Sequence, residues 1–575
     1  MSLTFGDVIL RHLEAEGVEY VFGIPGTTVV PLLAAFNRTD AVKPIVAKHE
    51  AGAAFMADGY ARVKGTLGAC FATAGPGATN LITGVATSHM DNVPVLVLTG
   101  QVDTSIAGKG AFQDSSQDGV DSVRMFDPVT RRSSMVISRH RAVDDLQAAL
   151  RAALTGKKGP AHLSLPRDIL GSEVDFEAVA PATYRFAPEY FDRRLVIDAV
   201  QLLAEAECPA MLVGSGAVSS GACDEILELA EMLSIPVATT PKAKGAFPED
   251  HPLALGVLGL CGSPLADRFL KCGKVDVLLV VGAGMNQMTT LSWDPRLQPT
   301  KALIHINIDP CELGKCYPTQ VPMVGDARTI MAEIGFRILR YVVKNDQTWK
   351  VREKAVAAMR AEVGTCLEPH KLLSDAMPLK PQRLVADLQK ALPDDSILFV
   401  DVGNSIAWSI HYMSVKKPGS YITPFGMLTM GHGIAAAVGG KLAAPDRPVV
   451  CLAGDGCFLM NGMEIATAVS HNIPVVFIIA RNNKLGLVND LQTFTLGKKT
   501  VATRFSPIDA AKVAEGLGAL AFRADNPGEL LKVLPQAIAS GRTTVIDCFV
   551  DPEEMPPLAP FVEGAQQFME RLDFG

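Results

Sequence analysis

The segment from Cys451 to Gly486 sets Asp455 between two glycines, Gly454 and Gly456, and brings an asparagine, Asn482, 27 residues after the aspartate. A carboxylate, a side-chain amide and a nearby backbone carbonyl are hard oxygen donors of the kind an octahedral Mg²⁺ takes. The glycines let the backbone approach a phosphate, so the set suits a diphosphate carried on a metal. A second set lies in Ala47 to Arg62, AKHEAGAAFMADGYAR, where Glu50 follows His49 at the mouth of a small-residue helix. A zinc helix would need a second histidine four residues after His49, and that position is Ala53. An isolated glutamate there is otherwise a first-turn acid favoured by the helix dipole, so the rest of the chain decides what Glu50 does.

Short apolar runs separated by helical segments place these residues. In the first 180 residues the strands are VEYVFGI, KPIVA, GACFATA, VPVLVLTG and GPAHLSLPRDI. Such a pattern marks a parallel sheet buried on both faces. After the Pro- and aromatic-bearing linker VAPATYRFAPEYFDRR come CPAMLVGSGAV, IPVATT, VDVLLVVGAG and KALIHINIDP. After a second linker, VGTCLEPHKLLSDAMPLKPQR, come SILFVDVG, RPVVCLAGDG, IPVVFIIARNN and TTVIDCFVDP. The expected fold is α/β, three tandem doubly wound parallel-sheet domains over 1–182, 190–345 and 375–560. Asp455 and Asn482 then fall at two strand C-termini, at the crevice edge where open α/β sheets bind ligands.

The chain has 575 residues, 48% hydrophobic and 20% charged, with 50 glycines, which suits a multidomain α/β enzyme and argues against disorder. A net charge of −8 with dispersed Lys and Arg argues against nucleic-acid or anionic-membrane partners. The eleven cysteines form no CxxC pair and read as reduced core residues. No apolar run reaches eighteen residues and the N-terminal helix is charged throughout, so a soluble, cytoplasmic protein is expected.

With GDG, 25 residues and then Asn at two strand ends, the chain resembles the thiamine diphosphate enzymes, and specifically the acetolactate (acetohydroxyacid) synthase family. FGIPG, KHEAGAAFMADGYAR, ATAGPGATN, VPVLVLTGQV, GAFQD, MGHGIAAAVGG and GDGCFLMN follow that family's order and spacing over nearly the whole chain. The resemblance implies that Glu50 contacts the cofactor's aminopyrimidine and favours its imino tautomer, which takes the thiazolium proton and makes the ylid. Such a carboxyl wants a dry, small-residue setting that raises its pKa, which Ala51, Gly52, Ala53 and Ala54 would supply. Asp455, Asn482 and Lys484 would hold Mg²⁺. Met430 would wedge the folded cofactor, with the Leu428 carbonyl accepting from its amino group. Thr73, Pro76, Asn80, Asn404, Gly454, Gly456, Cys457, Leu485 and Gly486 complete the implied cofactor set. Phe112 and Gln113 would line the reacting centre, and Gly26 would offer a backbone donor to oxyanion character on the acceptor.

Three departures stand out. The family's specificity tryptophan falls at Leu491. A threonine, Thr27, replaces a usual second glycine beside Gly26. The middle-domain flavin segment, usually Arg-Phe-Asp-Asp-Arg, reads GMNQM from Gly284 to Met288. FAD is therefore expected to be weakly bound or absent, although the glycines at 214, 216, 282 and 284 could still admit a nucleotide through backbone contacts. The expected activity is attack on a 2-oxo acid, C–C cleavage to an enamine, and transfer of the acyl anion to a carbonyl acceptor. The alternative is a decarboxylase or carbon–carbon lyase of the same superfamily that hands the enamine to a proton. A cofactor-binding protein without turnover is disfavoured by the retention of Glu50. The family also implies a homodimer or homotetramer with active sites between chains.

Overall fold

The computed structural model describes residues 3–567 apart from 177–179, 187–189, 342–345, 498–499, 559 and 561. Three six-stranded sheets follow one another, and every pairing within them is parallel. In space the first runs Lys43–Val46, Tyr20–Gly23, Gly68–Ala72, Val95–Gln101, Ala161–Pro166, Arg132–Met135. The third runs Tyr421–Ile422, Ile397–Val400, Val449–Gly454, Val475–Arg481, Thr544–Phe549, Leu520–Arg523. Numbered within each domain, both orders are 2-1-3-4-6-5, so the two outer domains share one topology. The middle sheet, from Ala254–Val257 through Val237–Thr239, Ala210–Val213, Val277–Val281 and Ala302–Asn307 to Val321–Val324, has the order 3-2-1-4-5-6. In each sheet the crossovers reverse direction beside the domain's first strand, and the ligand crevice of an open α/β sheet lies at that point.

The two outer domains share one apolar core although the middle domain separates them in sequence. Their contact is built by two small-residue helices, Glu50–Lys64 and His432–Ala443. A Cβ at Gly59 would run into the Ala436 carbonyl, and one at Gly439 into the Met56 carbonyl, so the two backbones touch where glycine alone fits. Side chains at these crossings would hold the helices apart; their absence lets helix axes approach closely. Helix Asp346–Val363, which lies between the expected second and third domains, buries Val356 in a middle-domain cluster and sends Arg352 to the Leu233 and Ala206 carbonyls. Among the described residues no helix is long and apolar enough to cross a membrane.

Candidate functional site

At the switch point of the third sheet three helices begin side by side: Asn404–Tyr412, Asp455–Asn461 and Gly486–Leu496. Their N-caps are Gly403, Gly454 and Leu485, and none of the three is capped by a side chain. First-turn N–H groups without an N-cap side chain, each at the positive end of a helix dipole, are what binds a phosphate, although Gly456 N–H is turned to the Asp455 carboxylate. They open on a cavity of about 260 Å³ lined by Asn404, Leu428, Met430, Gly454, Asp455, Gly456, Cys457, Asn482, Lys484, Leu485 and Gly486. Eleven of the twelve residues expected from this half of the chain thus meet in one place.

Asp455 is buried, with Oδ2 accepting from the Asn482 and Asn483 N–H groups at 2.9 and 2.6 Å and Oδ1 from Gly456 N–H at 3.0 Å. Burial pushes its carboxyl above the ordinary aspartate value, and those N–H groups oppose the push. The Asn482 Oδ1 accepts from Lys484 N–H at 3.2 Å. Asn404 has a buried Oδ1 without a partner, while its Nδ2 donates to Asp490 at 2.9 Å. Added Cβ atoms at Gly456 and Gly486 would crowd Leu485 and Met430, and Asn404 and Asn482, respectively. One carboxylate, one amide, an orphaned amide oxygen and open helix ends fit a metal-bound diphosphate. Among the described residues no three His, Cys, Asp or Glu side chains converge on a metal centre, so a purely protein-ligated transition metal has no seat here. Cys457 is core: its thiol donates to the Val402 carbonyl at 3.3 Å, and burial raises its pKa.

Leu491 is the exception. It lies on helix Gly486–Leu496, half-buried against the third domain's core, and Leu487 and Val488 line the cavity instead. Asp490 is a supporting residue that sequence did not single out: buried on the same helix, it takes the Asn404 amide and lies 3.5 Å from Lys484 Nζ. Its only signal is a carboxylate one turn into a helix.

The N-terminal candidates gather at the first sheet's switch point. Glu50, 8% exposed, accepts from Asn80 Nδ2 at 2.9 Å. A Cβ at Gly77 would meet Thr73 Cγ2 at 3.0 Å and Glu50 Oε1 at 3.5 Å, and one at Gly26 would run into Thr73. Pro76 opens helix Pro76–Asp91 after Gly75, whose φ of +67° suits glycine and whose N–H donates to Ser115 at 2.7 Å. Gln113 lies against Gly75, with a left-handed φ of 59°. Leu428 and Asn483, in the other group, are also left-handed at 54° and 58°. Non-glycine residues held there cost energy and concentrate at functional sites. Phe112 is 80% exposed.

No residue of the first domain lines the diphosphate cavity. A second cavity of about 300 Å³ lies between the outer domains and does touch Asn80 and Met430, but Glu50, Gly26, Thr73, Pro76 and Gln113 line neither. Within one chain, Glu50, Gly26, Thr73, Pro76 and Gln113 thus lie outside both cavities, while Asn80 and Met430 share the second.

The middle domain's switch point is different. Gly214 and Gly216 donate their N–H groups to the Val281 and Gly282 carbonyls at 2.8 and 2.9 Å, and the two strand ends pack backbone to backbone. The Glu312 carboxylate stands beside Gly284, 2.9 Å from where a Cβ would sit. Donors consumed by the neighbouring strand end and a carboxylate at the mouth do not fit a dinucleotide's diphosphate.

Three family models match the chain in order. They are the N-terminal thiamine pyrophosphate binding domain over residues 3–122, the central domain over 196–334 and the C-terminal thiamine pyrophosphate binding domain over 401–548. The chain is thus a three-domain thiamine diphosphate enzyme. It is 37% identical to the probable acetolactate synthase large subunit of Methanocaldococcus jannaschii, over 96% of this chain and 93% of the relative. It is 33% identical to the acetolactate synthase large subunit of Corynebacterium glutamicum (95% and 87%) and 32% identical to acetolactate synthase isozyme 3 large subunit of Escherichia coli (96% and 96%). The chain belongs to the acetolactate synthase large-subunit family, and its function is acetolactate synthase-like.

Proposed function

We propose that the chain joins two 2-oxo acid molecules, taking pyruvate as donor, releasing its carboxylate as carbon dioxide and placing the remaining acyl unit on the carbonyl of the second. The observation that carries this reading is the convergence of three uncapped helix N-termini with Asp455 and Asn482 in a chain of this family. When bound, thiamine diphosphate supplies carbanion stabilisation; the protein supplies position and electrostatics. Asp455, the Asn482 amide and the Lys484 carbonyl would hold Mg²⁺. The N–H groups at Asn404 and Gly486 would face the diphosphate, and Met430 and Leu428 would set the cofactor's shape. Glu50, fixed by Asn80, would hold or pass the proton shared with a bound aminopyrimidine, while Gln113, Phe112 and the Gly26 N–H would meet the substrate.

With Asp455 lining one cavity and Glu50 lining neither, the active unit is a homodimer or a multiple of it, with Glu50 of one chain completing the Asp455 half of another. FAD is bound weakly or not at all. The eleven cysteines are all free thiols, in keeping with a reducing cytoplasm. Products formed from pyruvate, alone and with an added aldehyde, test the activity. Carboligation gives one carbon dioxide per two pyruvates and a five-carbon hydroxy acid; one carbon dioxide per pyruvate with free acetaldehyde would replace this reading by the decarboxylase.

A further inference from the structure

Glu464 is a buried carboxylate for which the proposed chemistry has no use. It closes the short turn Gly462–Glu464 after the Asp455 helix and is 1% exposed. Its backbone partners lie in the other outer domain. Oε1 accepts from His49 N–H at 2.9 Å and Lys48 N–H at 3.1 Å; Oε2 accepts from Lys48 N–H at 3.1 Å and from the Thr467 hydroxyl at 2.7 Å. Two residues earlier, Val46 N–H donates to His471 Nε2 at 3.3 Å. The corner that turns strand Lys43–Val46 into helix Glu50–Lys64 is thus hung on the third domain by consecutive backbone N–H groups, and the next residue is Glu50. Gly52 completes the fit, since a Cβ there would run into Glu464 Oε1.

We infer that Glu464 is a positioning residue for Glu50: by taking the Lys48 and His49 N–H groups it fixes the first turn of the helix from which the Glu50 carboxylate reaches the cofactor. A charged acceptor holding backbone donors is among the stronger hydrogen-bonded arrangements. A corner free to shift by a fraction of an ångström would misplace a carboxylate whose partner atom must be met at hydrogen-bond distance. Burial pushes the Glu464 carboxyl upward, against the Thr467 hydroxyl and the Lys48 and His49 N–H groups that hold it down. The inference rests on the reading of Glu50 as the group that acts on the aminopyrimidine.

The test uses full-length Glu464→Gln, Gly52→Ala, Glu50→Gln and the Glu50→Gln/Glu464→Gln double variant. Gly52→Ala keeps both carboxyls and improves intrinsic helix propensity, so it serves if Glu464→Gln folds poorly. Amide hydrogen exchange in the cofactor-free protein reads the corner directly, and Lys48 and His49 should exchange about 10- to 100-fold faster in Glu464→Gln and in Gly52→Ala. Exchange of the thiazolium proton on added thiamine diphosphate with Mg²⁺ reads the consequence. It should slow about 10- to 100-fold in both variants, while the double variant matches Glu50→Gln alone. Unchanged amide exchange would overturn the inference, as would thiazolium exchange within about twofold of wild type where Glu50→Gln is slow, or losses that multiply in the double variant. If Glu50→Gln itself exchanges normally, the reading of Glu50 fails, visible in that variant alone, and the positioning role falls with it.

Discussion

His432 donates through Nε2 to Asp58 Oδ1 at 2.7 Å, and both side chains are fully buried, one from the third domain and one from the first. Asp58 also takes the Arg62 guanidinium and the Ser88 hydroxyl. Arg62 reaches on to Asp91 at 2.8 Å, and Asp91 meets Lys242 of the middle domain at 3.1 Å. All three domains are therefore joined through one buried chain of charges. It lies at the far end of the helix that Glu50 opens, and His432 stands two residues after Met430. Removing one member leaves the others buried without compensation, so Asp58→Asn and His432→Ala should each destabilise by about 3–5 kcal/mol, read from the shift in urea midpoint.

The same junction sets an acid limit. Burial alone would raise the Asp58 carboxyl, but Arg62 and His432 hold it well below the ordinary aspartate range; Asp91 is also held down, against burial, by Lys242 and Arg62. A carboxyl whose folded-state pKa is depressed contributes stability that is present above its unfolded value, about 3.9, and is lost as pH falls toward the folded one. Wild-type stability should therefore fall steeply below about pH 4, and Asp58→Asn should flatten that slope while lowering stability at pH 7. Equal slopes in the two proteins would remove Asp58 from the acid transition.

Gly439→Ala should destabilise although alanine is the better helix former. The added Cβ meets the Met56 carbonyl, which belongs to a helix already packed on both sides. Overpacking of this kind costs about 1–3 kcal/mol, more than the roughly 1 kcal/mol gained in propensity. Thermal unfolding of Gly439→Ala and of Gly541→Ala, which has open space around it and a positive φ, separates crowding at the crossing from backbone strain.

Glu50→Gln should keep diphosphate and metal affinity, because every residue lining that cavity is untouched, and should lower turnover at saturating cofactor about 100- to 10,000-fold. Turnover above half of wild type would remove Glu50 from the chemistry.

The central strands and most of the diphosphate group were legible in sequence because continuous apolar runs ending in glycine, aspartate or asparagine announce buried parallel strands and their crevice. Arg132–Met135, Ala254–Val257, Val321–Val324, Tyr421–Ile422 and Leu520–Arg523 were not. Each is two to four residues long and sits at a sheet edge, where one neighbour suffices and no long apolar run is needed. Leu491, expected at the substrate end of the site, lies on a helix whose register against the diphosphate cavity depends on a turn, Asn482 to Leu485, with its own left-handed residue. Glu464 was invisible because the partners that tie it to the first domain lie more than four hundred residues away and are backbone amides, which no side-chain motif records.

Purified protein should show no stoichiometric flavin absorbance. The middle-domain crevice spends its Gly214 and Gly216 donors on the adjoining strand end and sets Glu312 beside Gly284. With Met285, Asn286, Gln287 and Met288 in the flavin segment, a charge-assisted contact worth about 1.5–3 kcal/mol is missing as well. One equivalent of flavin per chain after gel filtration would show that this crevice opens.

The most direct test of a site shared between chains is complementation. Glu50→Gln and Asp455→Ala chains, each inactive alone, are mixed under conditions where subunit exchange is verified, and turnover with pyruvate is measured. If Glu50 of one chain serves the Asp455 half of another, half of the dimers are mixed and each carries one intact site, so about a quarter of wild-type activity should return. If both residues served a cofactor within one chain, every site would carry a lesion, and no recovery despite verified exchange would contradict the account.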